Sequence, residues 1–104
     1  APVAVTSARF VPAARREFLA EIIYYNQEQA GLGARFTAAV EEATVRALAF
    51  PLAGSPAAAN TRRVFLQGFP FSVVYRAVPA GIVIFAVAHQ SRRPDYWESR
   101  VQDR

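Results

Sequence analysis

The sequence predicts an α+β domain of order β-α-α-β-β-β, a helical hairpin packed on one face of a mainly antiparallel sheet. Three observations carry this. Between residues 12 and 50 apolar side chains recur every three or four positions, the period of a helix. From 62 to 89 three short runs are β-branched and aromatic, the composition of strands. Helices followed by a block of strands make a layered α+β unit rather than an alternating α/β one. With 104 residues, 53% of them hydrophobic, the chain reads as one domain, 1–104, with a C-terminal tail from 90 to 104. It is long enough to bury about two-thirds of its unfolded surface and too apolar to be disordered.

A short strand is expected at Ala8 to Val11. Pro12 then suits a helix start, because a missing N–H costs nothing in the first turn. From Arg15, Phe18, Ile22 and Tyr25 fall on one stripe with Leu19 and Ile23 beside them. Gly31 and Gly33 interrupt the pattern as a connector. A second helix is expected on Phe36, Val40, Ala43, Ala47 and Phe50, an apolar seam with small residues in its middle that lets the two helices approach closely. Pro51 ends it, since the residue before a proline is pushed out of the helical region. The segment 51–60 is rich in Ala and Pro and reads as a loop. The runs 62–66, 71–78 and 82–89, separated by Gln67-Gly68 and Pro79-Ala80-Gly81, form an antiparallel meander. The last run is apolar on both faces until His89, which places it centrally. The sheet face away from the helices must then be covered by the tail or by something else.

All twelve basic residues are arginine. Residues 1–60 hold five Arg and five Glu, so the net charge of +4 lies entirely in 61–104. A one-sided positive field favours an acidic protein or a nucleic acid as partner; a solvated basic face is the plain alternative. No apolar run approaches the ~20 residues that cross a bilayer, and the opening APVAVTSARF lacks the pattern of a signal peptide. The absence of cysteine excludes disulfides, thiolate nucleophiles and zinc–thiolate sites and fits a cytoplasmic protein. No cofactor and no metal site is expected.

The stretch AHQSRRPDYW, 88–97, concentrates the only His, the only Trp, a Tyr and two adjacent arginines. His89 is of the residue type that most often serves as a general base but has no Ser or Cys partner at a telling spacing, so a hydrogen-bonded structural role is expected of it. Arg92 and Arg93 carry the forked guanidinium groups that grip phosphates or carboxylates. Pro94 stops the strand. Tyr96 and Trp97 could stack on bases or close the open end of the core with a polar atom at the rim; for Trp97 the second is preferred. On the middle strand Ser72, Val74 and Arg76 share one face and Phe71, Val73 and Tyr75 the other. That polar face is sparse for acid–base chemistry.

The pattern A-x-x-E-F-L-x-E-I-x-Y-Y (14–25), the helix closing on F-P, R-R-x-x-L-x-x-F-P-F-x-V-V-Y (62–75) and H-x-x-R-R-P-x-Y-W-x-x-R (89–100) together resemble the RelE/ParE superfamily, the toxins of type II toxin–antitoxin modules. The resemblance implies the same β-α-α-β-β-β fold and two branches of activity. RelE-like members cut mRNA on the ribosome; ParE-like members lack that catalytic set, and those characterised inhibit DNA gyrase. Ribonuclease members carry an Arg on the middle strand where this chain has Ser72, and Phe65 replaces a second basic position. A phosphoryl transition state without those cations loses its main electrostatic support. The resemblance therefore implies a ParE-like, non-catalytic inhibitor of the kind that stabilises plasmids, neutralised in a hetero-oligomer by a cognate antitoxin with an acidic C-terminal segment. It implies target binding through Arg92, Arg93, Tyr96 and Arg100, and antitoxin binding through Arg62, Arg76, Phe18 and Ile22. The alternatives are a ribosome-dependent endoribonuclease using Arg63, His89, Arg93 and Tyr96, and a non-toxic member that only binds antitoxin.

Overall fold

The computed structural model describes residues 7–101; the first six residues of the chain and the last three of the expected tail, with Asp103 and Arg104, lie outside the described residues. In chain order the elements are β1 (Ser7–Phe10), α1 (Pro12–Glu28), α2 (Leu32–Ala49), β2 (Ser55–Ala57), β3 (Thr61–Phe65), β4 (Phe71–Val78) and β5 (Gly81–His89), followed by a single 3-10 turn at Glu98–Arg100. The five strands lie in the order β1-β5-β4-β3-β2. β1 runs parallel to β5, and the other pairings are antiparallel. β5 has a neighbour on each side, as its two apolar faces predict. Among the described residues no helix is long and apolar enough to cross a membrane.

Three expectations are corrected. The Ala/Pro-rich segment is not all loop: Ser55–Ala57 pairs with β3 and forms the sheet's outer edge, where Pro56 is tolerated because an edge strand has one unpaired side. Gly33 is not connector but the second residue of α2, buried where the helices cross. A Cβ there would stand 2.6 Å from the Ile22 carbonyl oxygen, so only glycine lets the helices meet, and its N–H donates to Asn26 Oδ1 at 2.9 Å. That amide serves as the N-cap α2 lacks in its own sequence. Phe50 leaves the seam: α2 ends at Ala49, and Phe50 has left helical geometry and is exposed. The pre-proline restriction acts one residue earlier than the spacing suggested.

The rest of the seam is buried, with Phe36, Val40, Ala43 and Ala47 against the sheet. Phe36 anchors an aromatic cluster with Phe18, Tyr25, Phe69 and Phe71 at centroid separations of 5.1–6.1 Å. β4 contributes Phe71, Val73 and Tyr75 to this main core and turns Val74 to the opposite face. The Tyr75 hydroxyl donates to the Pro51 carbonyl at 2.6 Å, pinning the segment after α2. Between β4 and β5 the register shifts, Val74 facing Ala86 and Tyr75 facing Ile84. Phe85 is thus an extra residue, a bulge that bends the strand. It falls just beyond Ile84, where the pairing of β5 with β1 stops.

Candidate functional site

β5 ends in a braced turn. The Gln90 N–H donates to the Pro70 carbonyl at 2.8 Å and the Arg92 N–H to the His89 carbonyl at 3.0 Å. His89 Nδ1 accepts the Ser91 N–H at 2.9 Å, which puts a neutral ring's proton on Nε2. The ring stands edge-on to Phe71, centroids 4.9 Å apart. His89 therefore acts as a turn brace, in line with its expected role. After Pro94, Asp95 adopts a left-handed conformation, φ 65°, which aspartate tolerates better than most residues. The tail is thereby folded back across the sheet face opposite the helices.

There Trp97 is 1% exposed, packed in a second small core with Val74, Ala86 and Ala88. Ala57 and Ala58, from the Ala/Pro-rich segment, pack against it. The small side chains leave a slot that only a large flat ring fills. Trp97 caps the core and is not available for stacking on bases.

Tyr96 and Arg100 are held by a residue that sequence reasoning gave no role. Glu17 projects from α1 towards the stretch of β5 that β1 leaves uncovered. Its carboxylate accepts the Val87 N–H at 3.1 Å, the Tyr96 hydroxyl at 2.6 Å and two Arg100 N–H groups at 2.9 Å. Arg100 also donates to the Phe85 carbonyl at 3.1 Å. Beyond Ile84, side chains thus complete the hydrogen bonding that a longer β1 would have supplied. Burial first, then the bond to Glu17 and its charge, push the Tyr96 phenol far above its ordinary pKa; the hydrogen bond to Glu17 likewise raises Arg100, which stays charged.

Of the four residues expected at a target edge, Tyr96 and Arg100 therefore have their polar atoms turned inwards. Arg92 and Arg93 are exposed. The Arg92 guanidinium lies 3.9 Å from the centre of the Tyr96 ring, a cation–π contact that stiffens it, and the Arg93 side chain makes no hydrogen bond or ion pair with the described residues. The ribonuclease set is brought together: Arg63, His89, Arg93 and Tyr96 line one cleft of about 130 Å³. Ser72, Phe65 and Arg92 line the same cleft, and the Tyr96 hydroxyl is committed to Glu17.

The residues expected to meet an antitoxin do not share a surface. Phe18 is half-buried and stacked on Phe10, centroids 5.5 Å apart, and Ile22 packs against the main core. Arg62, opposite Tyr75, lies on the helix side and donates to the Gly54 carbonyl at 2.8 Å. Arg76 lies on the other side and holds the carbonyls of Ala59 and Asn60. The more exposed apolar residues of α1 are Leu19, Ile23 and Tyr24, offset by one position from the stripe that faces the core.

Beside the half of the far face that Trp97 covers lies a groove of about 550 Å³, whose floor residues Val83 and Phe85 are themselves buried. Val78, Val83 and Phe85 line it, with Arg9, Arg76 and Arg100 around them and Pro12 and Ala13 of α1 beside β1. Arg76 and Arg100 come from the positively charged 61–104 and Arg9 from the neutral first part; the groove needs the parallel β1, which periodicity could not orient. Among the described residues no group of three or more His, Asp or Glu is placed to hold a metal ion.

A family profile described as the ParE toxin of the type II toxin–antitoxin system parDE matches residues 8–94. None of the curated proteins matches the chain significantly in sequence. Among solved structures, a chain from the chromosomal ParDE TA system from P. aeruginosa is similar with a TM-score of 0.69 and 15% identity, covering 84% of this chain and 98% of that one. At that identity the likeness speaks for the fold.

Proposed function

The chain belongs to the ParE toxin family of type II toxin–antitoxin systems, and from that premise we propose that it inhibits DNA gyrase in the cytoplasm by binding rather than by cutting RNA. The observation that carries this is the tail itself. Glu17, Trp97 and Arg100 hold a rigid edge from which Arg92 and Arg93 project, while the adjoining cleft has Ser72 and Phe65 where a ribonuclease would need cations. Loss of one well-placed transition-state donor costs ~10²–10³ in rate, and two such positions differ here. A cognate antitoxin neutralises the toxin through an acidic C-terminal segment that orders on binding. To touch Phe18, Ile22 and Arg62 as well as Arg76, that segment must wrap from the helix side to the far face, which favours an extended partner over a compact one.

The test is induction of the toxin in growing cells, with gyrase supercoiling assayed on the purified protein. The wild type should inhibit supercoiling and raise DNA-damage signalling. Arg92→Ala combined with Arg93→Ala should abolish both with the fold intact, because the exposed cation–π contact of Arg92 contributes only ~0.5–1 kcal/mol to stability whereas a central interface arginine contributes ~2 kcal/mol or more to binding. A codon-phased cleavage ladder in primer extension of translated messages would instead establish the ribonuclease reading that the shared cleft of Arg63, His89, Arg93 and Tyr96 keeps in view.

A further inference from the structure

We infer that the outward face of α1 is a self-association surface, on which a second copy of this chain docks its own α1 in antiparallel orientation. α1 is apolar on two faces. One, with Ala14, Phe18, Ile22 and Tyr25, packs on the main core. The other carries Arg16, Leu19, Ala20, Ile23, Tyr24 and Gln27, all exposed and recurring at intervals of three and four, so they form one stripe along the helix. At 1.5 Å per residue the stripe is about 17 Å long. Its middle holds no charge, and Leu19, Ile23 and Tyr24 are 44%, 59% and 51% exposed. The outward face of α2 is what a solvated face looks like in the same hairpin: it exposes Arg35, Glu41 and Glu42, with Val45 its only large apolar residue. A helix that is apolar on opposite sides is ordinarily buried on both, and contiguous exposed apolar side chains mark an interface where scattered ones do not.

Charge selects the occupant. Acidic residues stabilise the first turn of a helix and basic residues the last. α1 has neither, and reverses the order: Arg15 and Arg16 stand near its start and Glu28 closes it. Among the described residues none of these three is in an ion pair. A second α1 running the opposite way corrects both ends together, because it brings its acidic end to the basic end of the first and opposes the two dipoles. The stripe fits such a partner. A two-fold axis midway between Ala20 and Ile23 puts Leu19 beside the second copy's Ile23 on one flank and Ala20 under its Tyr24 on the other. Arg16 then lies at the end of the contact beside the second copy's Gln27, within reach of its Glu28. Every match is made twice, as an isologous interface requires. Tyr24 is already steadied by Tyr25, ring centroids 5.3 Å apart at 70°, which lowers the entropy cost of docking. An acidic peptide or a nucleic acid would instead meet an uncharged middle and a repelling Glu28. One helix-on-helix contact falls at the low end of specific interfaces, below ~1,200 Å², so the dimer is reversible. Self-association of this kind is independent of which target the toxin inhibits.

The test is sedimentation velocity of the purified full chain over a concentration series, beside variants of α1. The wild type should pass reversibly from monomer to dimer as concentration rises. Ile23→Glu should weaken the dimer about a hundredfold, a factor of about ten at each of the two symmetric contacts. Its circular dichroism and melting temperature should stay close to the wild type, since Ile23 is more than half exposed and glutamate is a good helix former. Arg16→Glu should weaken the dimer about tenfold, although it places an acid near the positive end of the helix and so favours the helix itself. Adding Glu28→Arg to Arg16→Glu should restore the dimer, which happens only if the two helices run antiparallel with these ends opposed. A wild type that stays monomeric at every concentration, a dimer untouched by Ile23→Glu, or a charge swap that fails to restore association would each overturn the assignment. Co-expression with the neighbouring reading frame covers the other occupant. If the chain is monomeric alone and Ile23→Glu abolishes its complex with that product, the face belongs to the product and the self-association reading falls.

Discussion

Replacing Glu17 by Ala should destabilise the domain more than the loss of any other charged side chain of α1. The carboxylate accepts four hydrogen bonds from three partners, two of them from the Arg100 guanidinium. A hydrogen bond to a charged group contributes about 1.5–3 kcal/mol, and removing one member of a fully buried ion pair costs about 3–5 kcal/mol. The Arg100 and Glu17 side chains keep 21% and 17% of their exposure, so water screens part of this, and a loss of about 2–4 kcal/mol is expected. In a domain of this size that lowers the melting temperature by roughly 10–25 °C. Trp97 reports the event directly, because it is the only tryptophan and is buried by the same tail: undocking should shift its emission to the red before the far-ultraviolet circular dichroism changes. Glu17→Gln should lose nearly as much, since an amide keeps the volume but turns a donor towards a guanidinium. A double-mutant cycle with Arg100→Met should return a coupling of about 1.5 kcal/mol or more. If Glu17→Ala melts within about 0.5 kcal/mol of the wild type, or the two substitutions simply add, the carboxylate does not hold the tail and the reasoning fails.

Two further outcomes concern the same end of the molecule. Trp97→Ala should cost about 3–5 kcal/mol, because the slot between Ala57, Ala86 and Ala88 cannot collapse onto a methyl group, and toxicity should be lost with the fold; a toxic, normally melting variant would show that the indole caps nothing. Tyr96 should make the protein sensitive to alkali. Its phenol is held protonated above its ordinary value of 10.0, so the folded chain keeps a proton that the unfolded chain releases. The associated stability is complete below pH 10.0 and is lost as pH rises towards the folded-state value. Urea midpoints at about pH 8 and about pH 11 should therefore fall further for the wild type than for Tyr96→Phe, and equal declines would exclude the effect.

The periodicity of the helices and the alternation of β4 were legible because each reflects one contiguous segment meeting one face of the core. Phe36, Val40, Ala43 and Ala47 announce themselves at helical spacing, and Phe71, Val73 and Tyr75 at strand spacing. Ser55–Ala57 did not, because it is a strand by virtue of its partner: Pro56 and two neighbouring alanines have little strand propensity, and pairing with β3 supplies it. Gly33 looked like a breaker because its reason for being glycine, the Ile22 carbonyl 2.6 Å from a would-be Cβ, lies on another helix. The charge asymmetry and the density of 88–97 drew attention to the right end of the chain. They could not divide its arginines into Arg100, turned inward, and Arg92 and Arg93, turned out. That division depends on Glu17, more than seventy residues away. It stood inside the A-x-x-E-F-L motif with no local feature to mark it.

The clasp that Arg100 closes on Glu17 also bears on how the protein is made. Everything the clasp joins precedes Arg100 in the chain, so a nascent molecule interrupted after β5 has its strands and helices but not their closure. Val87 and the Phe85 carbonyl would then lie on an open strand edge, Glu17 would be an anion without its counter-charge, and the indole slot over Ala86 and Ala88 would stand as bare apolar surface. Open edges beside apolar surface tend to recruit other chains, and the closed clasp removes both features together. Translation must run through Arg100 before the clasp can close and the edge that carries Arg92 and Arg93 is braced.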